Sequence, residues 1–283
     1  VALLATSLVS LGCASGDGGG DGDGDGDGDG DGDGDIGATG GGAGDGDGDG
    51  DGDGDGDTSS PPSVCDDAVS APASAQVANA ESADPNWDIY TSTPADGGTI
   101  TLPESGSIDD PPAFVADGAD GTDQAIAYAG AGWFSYGAGI NYNLEGCKDL
   151  TAYTGVKFYA KGWTKTTGDD QLPATAMDNR LSFRVITAGA HGMIDMDGVN
   201  VGGDCIPSSG KCYMPPQINI ELPGDPETMD AGEWTLYEIK FTDLVVPAGA
   251  NPGSAFSGTN AMLLGWHSEP GNFEIYIDEV EFY

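Results

Sequence analysis

An all-β fold, an antiparallel β-sandwich or jelly roll preceded by a disordered Gly-Asp linker, is what this sequence predicts. Three observations carry that reading. The later part of the 283-residue chain breaks into short runs rich in Val, Ile, Thr, Phe and Tyr, several of which alternate apolar and polar residues. Pro, Gly, Asn and Asp cluster between the runs, and no segment sustains a period of 3.6. About 200 residues holding eight to ten strands and no long helix make a single antiparallel sandwich.

Residues 1–13 read as a truncated signal peptide. Val1 to Gly12 (VALLATSLVSLG) is apolar and rich in small residues. It is too short for a bilayer-spanning helix, which takes about 20 residues. No initiating Met or basic residue opens it, and the first base is Lys148, so the sequence is read as starting inside the signal. Leu11-Gly12-Cys13 resembles the lipobox of bacterial lipoproteins, in which a small residue precedes the Cys that is lipidated, although Ser10 stands where that motif has Leu. Cys13 is therefore the expected lipidation site. The expected location is the outer membrane or cell surface, with membrane contact through that lipid alone; the alternative is a plain cleaved signal with an incidental Cys, and a secreted protein.

Residues 14–60 form the tether. From Gly16 to Asp57 the sequence is nearly pure Gly-Asp repeat: Gly maximises backbone entropy, and Asp at every second position makes the segment repel itself. As a flexible coil it spans about 35 Å in r.m.s. terms, and more with repulsion. A calcium array is a poor fit. An EF-hand loop closes with Glu, and the first Glu is Glu81; a β-roll needs an apolar residue in each turn, and the tract offers only Ile36 and a few Ala. Of the chain's 48 acidic residues, 16 lie between Asp17 and Asp57 with no base among them, so the remainder of a chain of net charge -40 is acidic in its own right. Such a field disfavours nucleic acid and anionic lipid, and leaves neutral partners such as polysaccharides unaffected.

Residues 61–84 read as a Ser/Pro/Ala-rich lead-in, and residues 85–283 as the head. The expected strands are Thr99 to Leu102, Gln124 to Ala129, Ala138 to Leu144, Gly155 to Ala160, Arg180 to Thr187, Gln217 to Leu222, Trp234 to Phe241, Ala261 to Trp266 and Phe273 to Tyr283. Val156, Phe158 and Ala160 share one face; Leu181, Phe183 and Val185 share another; Leu236, Ile239 and Phe241 nearly follow. In the last strand Phe273, Ile275 and Ile277 alternate, but the next apolar residues are Val280 and Phe282. One extra residue, a β-bulge near Asp278 or Glu279, absorbs that slip.

Besides Cys13 the chain holds Cys65, Cys147, Cys205 and Cys212, an even number that suits disulfides in an exported protein and allows three pairings. Cys205 and Cys212 lie in one Gly/Pro/Ser-rich loop, which favours their pairing and leaves Cys65 for Cys147. A four-Cys zinc site lacks any C-x-x-C pair.

Four segments together resemble galactose-binding-like jelly rolls: Tyr153 to Gly162, Arg180 to Thr187, Gly232 to Leu244 and Phe273 to Phe282. The group they are similar to is that of family 11 carbohydrate-binding modules, with related domains on lipoproteins of myxobacterial type. The resemblance spans roughly 124–283 and departs at the start, where the usual Phe-Glu-Asp strand has no clear counterpart before Thr99. It implies a glycan-binding head and a structural calcium ion with Asp278 among its ligands; an outward or capping carboxylate is the plainer role for that residue. It also makes Trp234 and Tyr237 core residues.

Sugar rings are bound by aromatic faces and planar polar side chains. Trp133, Tyr136, Tyr142, Arg184 and Trp266 are the expected ligand contacts, with Asn141, Asn143, Tyr159 and His267 as further candidates. Catalysis is not expected: no G-x-S-x-G or His-containing metal motif occurs, and the histidines are only His191 and His267. The other function the fold serves is adhesion or assembly through a surface protein.

Nothing in the tether can pack. Deleting Gly16 to Asp57 should leave the melting temperature of the head within about a degree, below the 2–4 °C that about 1 kcal/mol produces in a domain of this size. A calorimetric scan of both chains checks it.

Overall fold

The computed structural model describes residues 64–65, 69–81, 84–91, 98–103, 111–133, 137–166, 178–192, 203–206 and 212–283. The signal segment with Cys13, the tether and Tyr136 lie outside them. Among the described residues the head is an all-β sandwich of two antiparallel sheets. Its strands are β1 (Gln76–Ala78), β2 (Trp87–Thr91), β3 (Thr99–Leu102), β4 (Ala113–Ala116), β5 (Gln124–Ala131), β6 (Ala138–Lys148), β7 (Gly155–Thr166), β8 (Arg180–Thr187), β9 (Gln217–Glu221), β10 (Thr235–Lys240), β11 (Ala261–Ser268) and β12 (Gly271–Phe282). One sheet runs β10-β7-β12-β5-β3, with β1 added to β12 and β4 to β5; the other runs β2-β6-β11-β8-β9.

Period-two alternation decides which residues meet between the sheets. Val156, Phe158 and Ala160 of β7, Ile126 and Tyr128 of β5, and Phe273, Ile275 and Ile277 of β12 face Leu181, Phe183 and Val185 of β8, Ile140 of β6 and Leu264 and Trp266 of β11, all buried. Trp266 lies at the centre. Its ring is 5.5 Å from that of Trp87, 5.6 Å from Phe183 and 5.4 Å from Phe158, which belongs to the opposite sheet. Its carbonyl accepts the Tyr128 hydroxyl at 3.0 Å, and burial raises the pKa of that hydroxyl well above its ordinary range. Trp266, expected to face a ligand, is therefore a core residue: two residues on from Leu264 in an alternating strand, it shares that residue's inward face.

The slip in β12 is a bulge. Asp278 pairs with Tyr159 and Glu281 with Lys157, so Glu279 and Val280 together oppose Phe158. Glu279 takes the left-handed conformation at φ 47°. Asp278, opposite Tyr159 on the outward side of the strand, is nonetheless buried, and past the inserted residue Val280 and Phe282 resume the inward face.

The lead-in belongs to the head. β1 pairs with β12, Gln76 opposite Glu281, and Ala78 and Ala80 join the core. Cys65 bonds to Cys147 and Cys205 to Cys212, the pairing that the shared loop favours. This stretch lacks large apolar residues, so its strand pairing left little sequence signal. Leu236 also departs from expectation: on the edge strand β10 it points outward and is 44 % exposed, while Tyr237 and Ile239 turn inward.

Truncating Trp266 to Ala should cost about 3–5 kcal/mol, as removal of a buried aromatic does, whereas Leu236→Ala should change stability by less than about 0.5 kcal/mol. Chemical denaturation of the two variants tests the assignment of faces.

Candidate functional site

The outer face of the five-stranded sheet follows from the same alternation. With Trp87 and Ile89 inward, Asp88 and Tyr90 point out; with Ile140 inward, Gly139 and Asn141 point out; with Leu264 and Trp266 inward, Gly265 and His267 point out; with Leu181, Phe183 and Val185 inward, Ser182 and Arg184 point out. The register aligns them in two rows. Asp88, Asn141, Gly265, Arg184 and Gln217 form one; Tyr90, Gly139, His267, Ser182 and Asn219 form the other.

Each row needs one glycine. A Cβ on Gly139 would come within 2.7 Å of the Tyr90 ring, and one on Gly265 within 2.9 Å of both Asn141 Oδ1 and Ile186 Cδ1. The Tyr90 ring thus lies over bare backbone, nearly parallel to His267 at 9° with centroids 5.7 Å apart. Its Oη is 2.9 Å from His267 Nδ1 and accepts from Arg184 Nη1 at 3.4 Å. Asn141 Nδ2 donates to Asp88 Oδ2 at 3.3 Å. Surrounding protein atoms raise the Asp88 carboxyl to about 6, with the Asn141 hydrogen bond opposing them. Asp88 itself is exposed.

Two polar atoms on this face lack a partner among the described residues: Ser182 Oγ, on a fully buried residue, and Asn141 Oδ1. Buried hydroxyl and amide groups are ordinarily paired. These two are acceptors, and Ser182 is also a donor, on a face that already presents an aromatic ring.

Of the expected contacts, Arg184 joins this face, as do the further candidates Asn141 and His267. The others do not. Trp133 is buried, 3 % exposed, with its indole in the space left by glycines: a Cβ on Gly98 would fall 2.1 Å from Cδ2, and one on Gly130 2.8 Å from Nε1. The Gly-rich stretch that suggested an open loop instead makes room for a core side chain. Tyr142 faces inward against Trp87, with centroids 5.1 Å apart, and bonds Asp84 Oδ2 at 3.0 Å; burial first, then that bond, push its hydroxyl up to about 12. Asn143 is exposed, its Oδ1 accepting from the Glu145 amide at 2.8 Å. Tyr159 lies on the outer face of the other sheet, opposite Leu236. Trp234, expected in the core, is only half-buried there. Tyr90, Asp88 and Ser182 were missed; the Trp87-Asp-Ile-Tyr90 alternation was the signal for the first two.

Asp278 is a capping acceptor. Its Oδ2 takes the Ala119 amide at 2.8 Å and the Thr122 hydroxyl at 2.6 Å, and its Oδ1 takes the Glu279 amide at 2.8 Å. No group of three or more His, Cys, Asp or Glu that could hold a metal ion occurs among the described residues.

The fold has counterparts among solved structures. The chain is similar to family 11 carbohydrate-binding modules. The module of a cellulosomal cellulase of Clostridium thermocellum matches at 12% identity over 73% of this chain and 92% of that one, with a TM-score of 0.42. A Clostridium thermocellum family 11 module in complex with a β-1,3-1,4-mixed-linked tetrasaccharide matches at 13% identity over 73% and 94%, also at 0.42. An exo-β-agarase matches at 10% identity and 0.40, over 74% of this chain but 25% of the enzyme. No family model and no curated protein matches the chain.

Asp88 gives this face a pH signature. Its native pKa, about 6, exceeds the ordinary 3.8, so the folded state binds the proton more tightly. The contribution favours folding below about pH 4 and is lost as pH rises through 6. In Asp88→Asn that slope between pH 4 and 6 should vanish from the melting profile. Asp278→Asn, by contrast, should lower the melting temperature equally in calcium and in EDTA.

Proposed function

We propose that the head is a non-catalytic carbohydrate-binding module whose ligand rests on the outer face of the five-stranded sheet. The carrying observation is the conjunction on one face of an aromatic ring laid over glycine and a fully buried serine hydroxyl with no partner among the described residues. The ring face of Tyr90 suits the apolar C–H side of a pyranose. Asn141, Ser182 and Arg184 supply the planar and hydroxyl groups that bond its hydroxyls. The chain's net charge of -40 favours a neutral glycan over an anionic one. In the same proposal the protein is exported and held at the surface by lipid on Cys13, with the acidic tether as a stand-off. Adhesion to a surface protein is the competing function.

Affinity electrophoresis of the full chain through neutral polysaccharides tests the site. Tyr90→Ala should weaken binding by about 1–3 kcal/mol with little change in melting. Unaltered affinity in Tyr90→Ala would remove this face from the function, and measurable hydrolysis of the polysaccharide would replace the module with an enzyme.

A further inference from the structure

We propose that the outer face of the seven-stranded sheet is a second carbohydrate-contacting surface, built on Tyr159, Trp234 and Tyr276 and taking a neutral polysaccharide chain. It shares no residue with the five-stranded face and stands independently of it.

Alternation along β7 sends Val156, Phe158 and Ala160 to the core and Lys157, Tyr159, Lys161 and Lys165 to this outer face. The Lys161 ammonium lies 4.7 Å from the centroid of Trp234 and 5.1 Å from that of Tyr276, and donates to Asp117. The two rings meet edge to face at 80°, with centroids 6.4 Å apart. One step along the sheet, Tyr159 pairs with the exposed Leu236. Rows on one sheet face are about 7 Å apart and strands about 5 Å, so the patch has the footprint of a disaccharide.

Charge selects the occupant. Each of these lysines has a carboxylate partner: Lys157 with Glu281 at 3.0 Å, Lys161 with Asp117, and Lys165 with Glu227 at 3.1 Å. The charges cancel pair by pair, so this face does not draw an anion, which the net charge of -40 also repels. What it offers is ring faces for sugar C–H groups and fixed donors and acceptors for hydroxyls. Lys161 holds two of the rings before any ligand arrives, which reduces the ordering cost of binding. A protein partner needs about 800 Å² on each side, far more than three half-buried rings and one leucine present.

The test uses the full chain in affinity electrophoresis through mixed-linked β-1,3-1,4-glucan, xylan, galactomannan and agarose. For at least one of these, Tyr159→Ala and Trp234→Leu should each reduce affinity about five- to ten-fold. The same polysaccharide should protect Lys157 of the wild type from acylation by an N-hydroxysuccinimide ester. Loss confined to Tyr90→Ala, with no protection of Lys157, overturns this surface and leaves the first. Loss confined to Tyr159→Ala and Trp234→Leu upholds it and removes the first, while loss in both sets supports both. Retardation by none of the four polysaccharides overturns both. If Trp234→Leu melts early, Tyr159→Ala and the Lys157 protection decide.

Discussion

Trp266 touches both sheets at once. Its indole packs on Trp87 and Phe183 of its own sheet and on Phe158 of the other, while its carbonyl accepts the hydroxyl of Tyr128 from across the sandwich. A buried aromatic of this size removes roughly 150–250 Å² from water, about 4–6 kcal/mol as an upper bound. The larger consequence is positional. Once Trp266 is fixed inward, Gly265 and His267 must face outward, and the register with β6 and β8 then places Asn141, Arg184 and Ser182 beside them. A slip of one residue in β11 would bury His267 in the core and expose the indole.

The bulge in β12 is a second fixed point. An extra residue in a strand otherwise buried at every second position returns Val280 and Phe282 to the core just beyond a buried carboxylate on the outward side, that of Asp278. There it meets three donors, two of them from the 119–122 turn, which tie that turn to the closing strand. β1 pairs with β12 just beyond this point, so the first and last of the described strands meet where the register changes.

The places of nine strands and much of the core were legible in the sequence because alternation reports directly on facing, whereas β1, β2 and β4 were not expected. Thr99–Leu102 and Arg180–Thr187 match the expected bounds, and the slip between Ile277 and Val280 located the bulge. Aromatic roles were less legible, since they depend on which neighbours are missing. Trp133 looked exposed because glycine surrounds it in sequence, yet Gly98 and Gly130 are what admit its ring to the interior. Trp234 looked buried because it opens an alternating strand, but that strand is an edge, and one side of the ring looks outward to Lys161. Tyr90 could not be valued from sequence, because its place over Gly139 arises from pairing between strands about 50 residues apart.

The bond between Cys65 and Cys147 bears on how the head carries load. Tension applied to the chain ahead of Cys65 crosses that bond to the end of β6 without passing through residues 66–146, where β1 to β5 lie. Those strands form a covalently closed bypass that a pull cannot peel apart one hydrogen bond at a time. Force instead enters the five-stranded sheet along β6, lengthwise, so that β6 must shear against β2 and β11 together. A ligand held on that sheet and a tension applied at the N-terminal side would load the same strand, and the seven-stranded sheet would be spared.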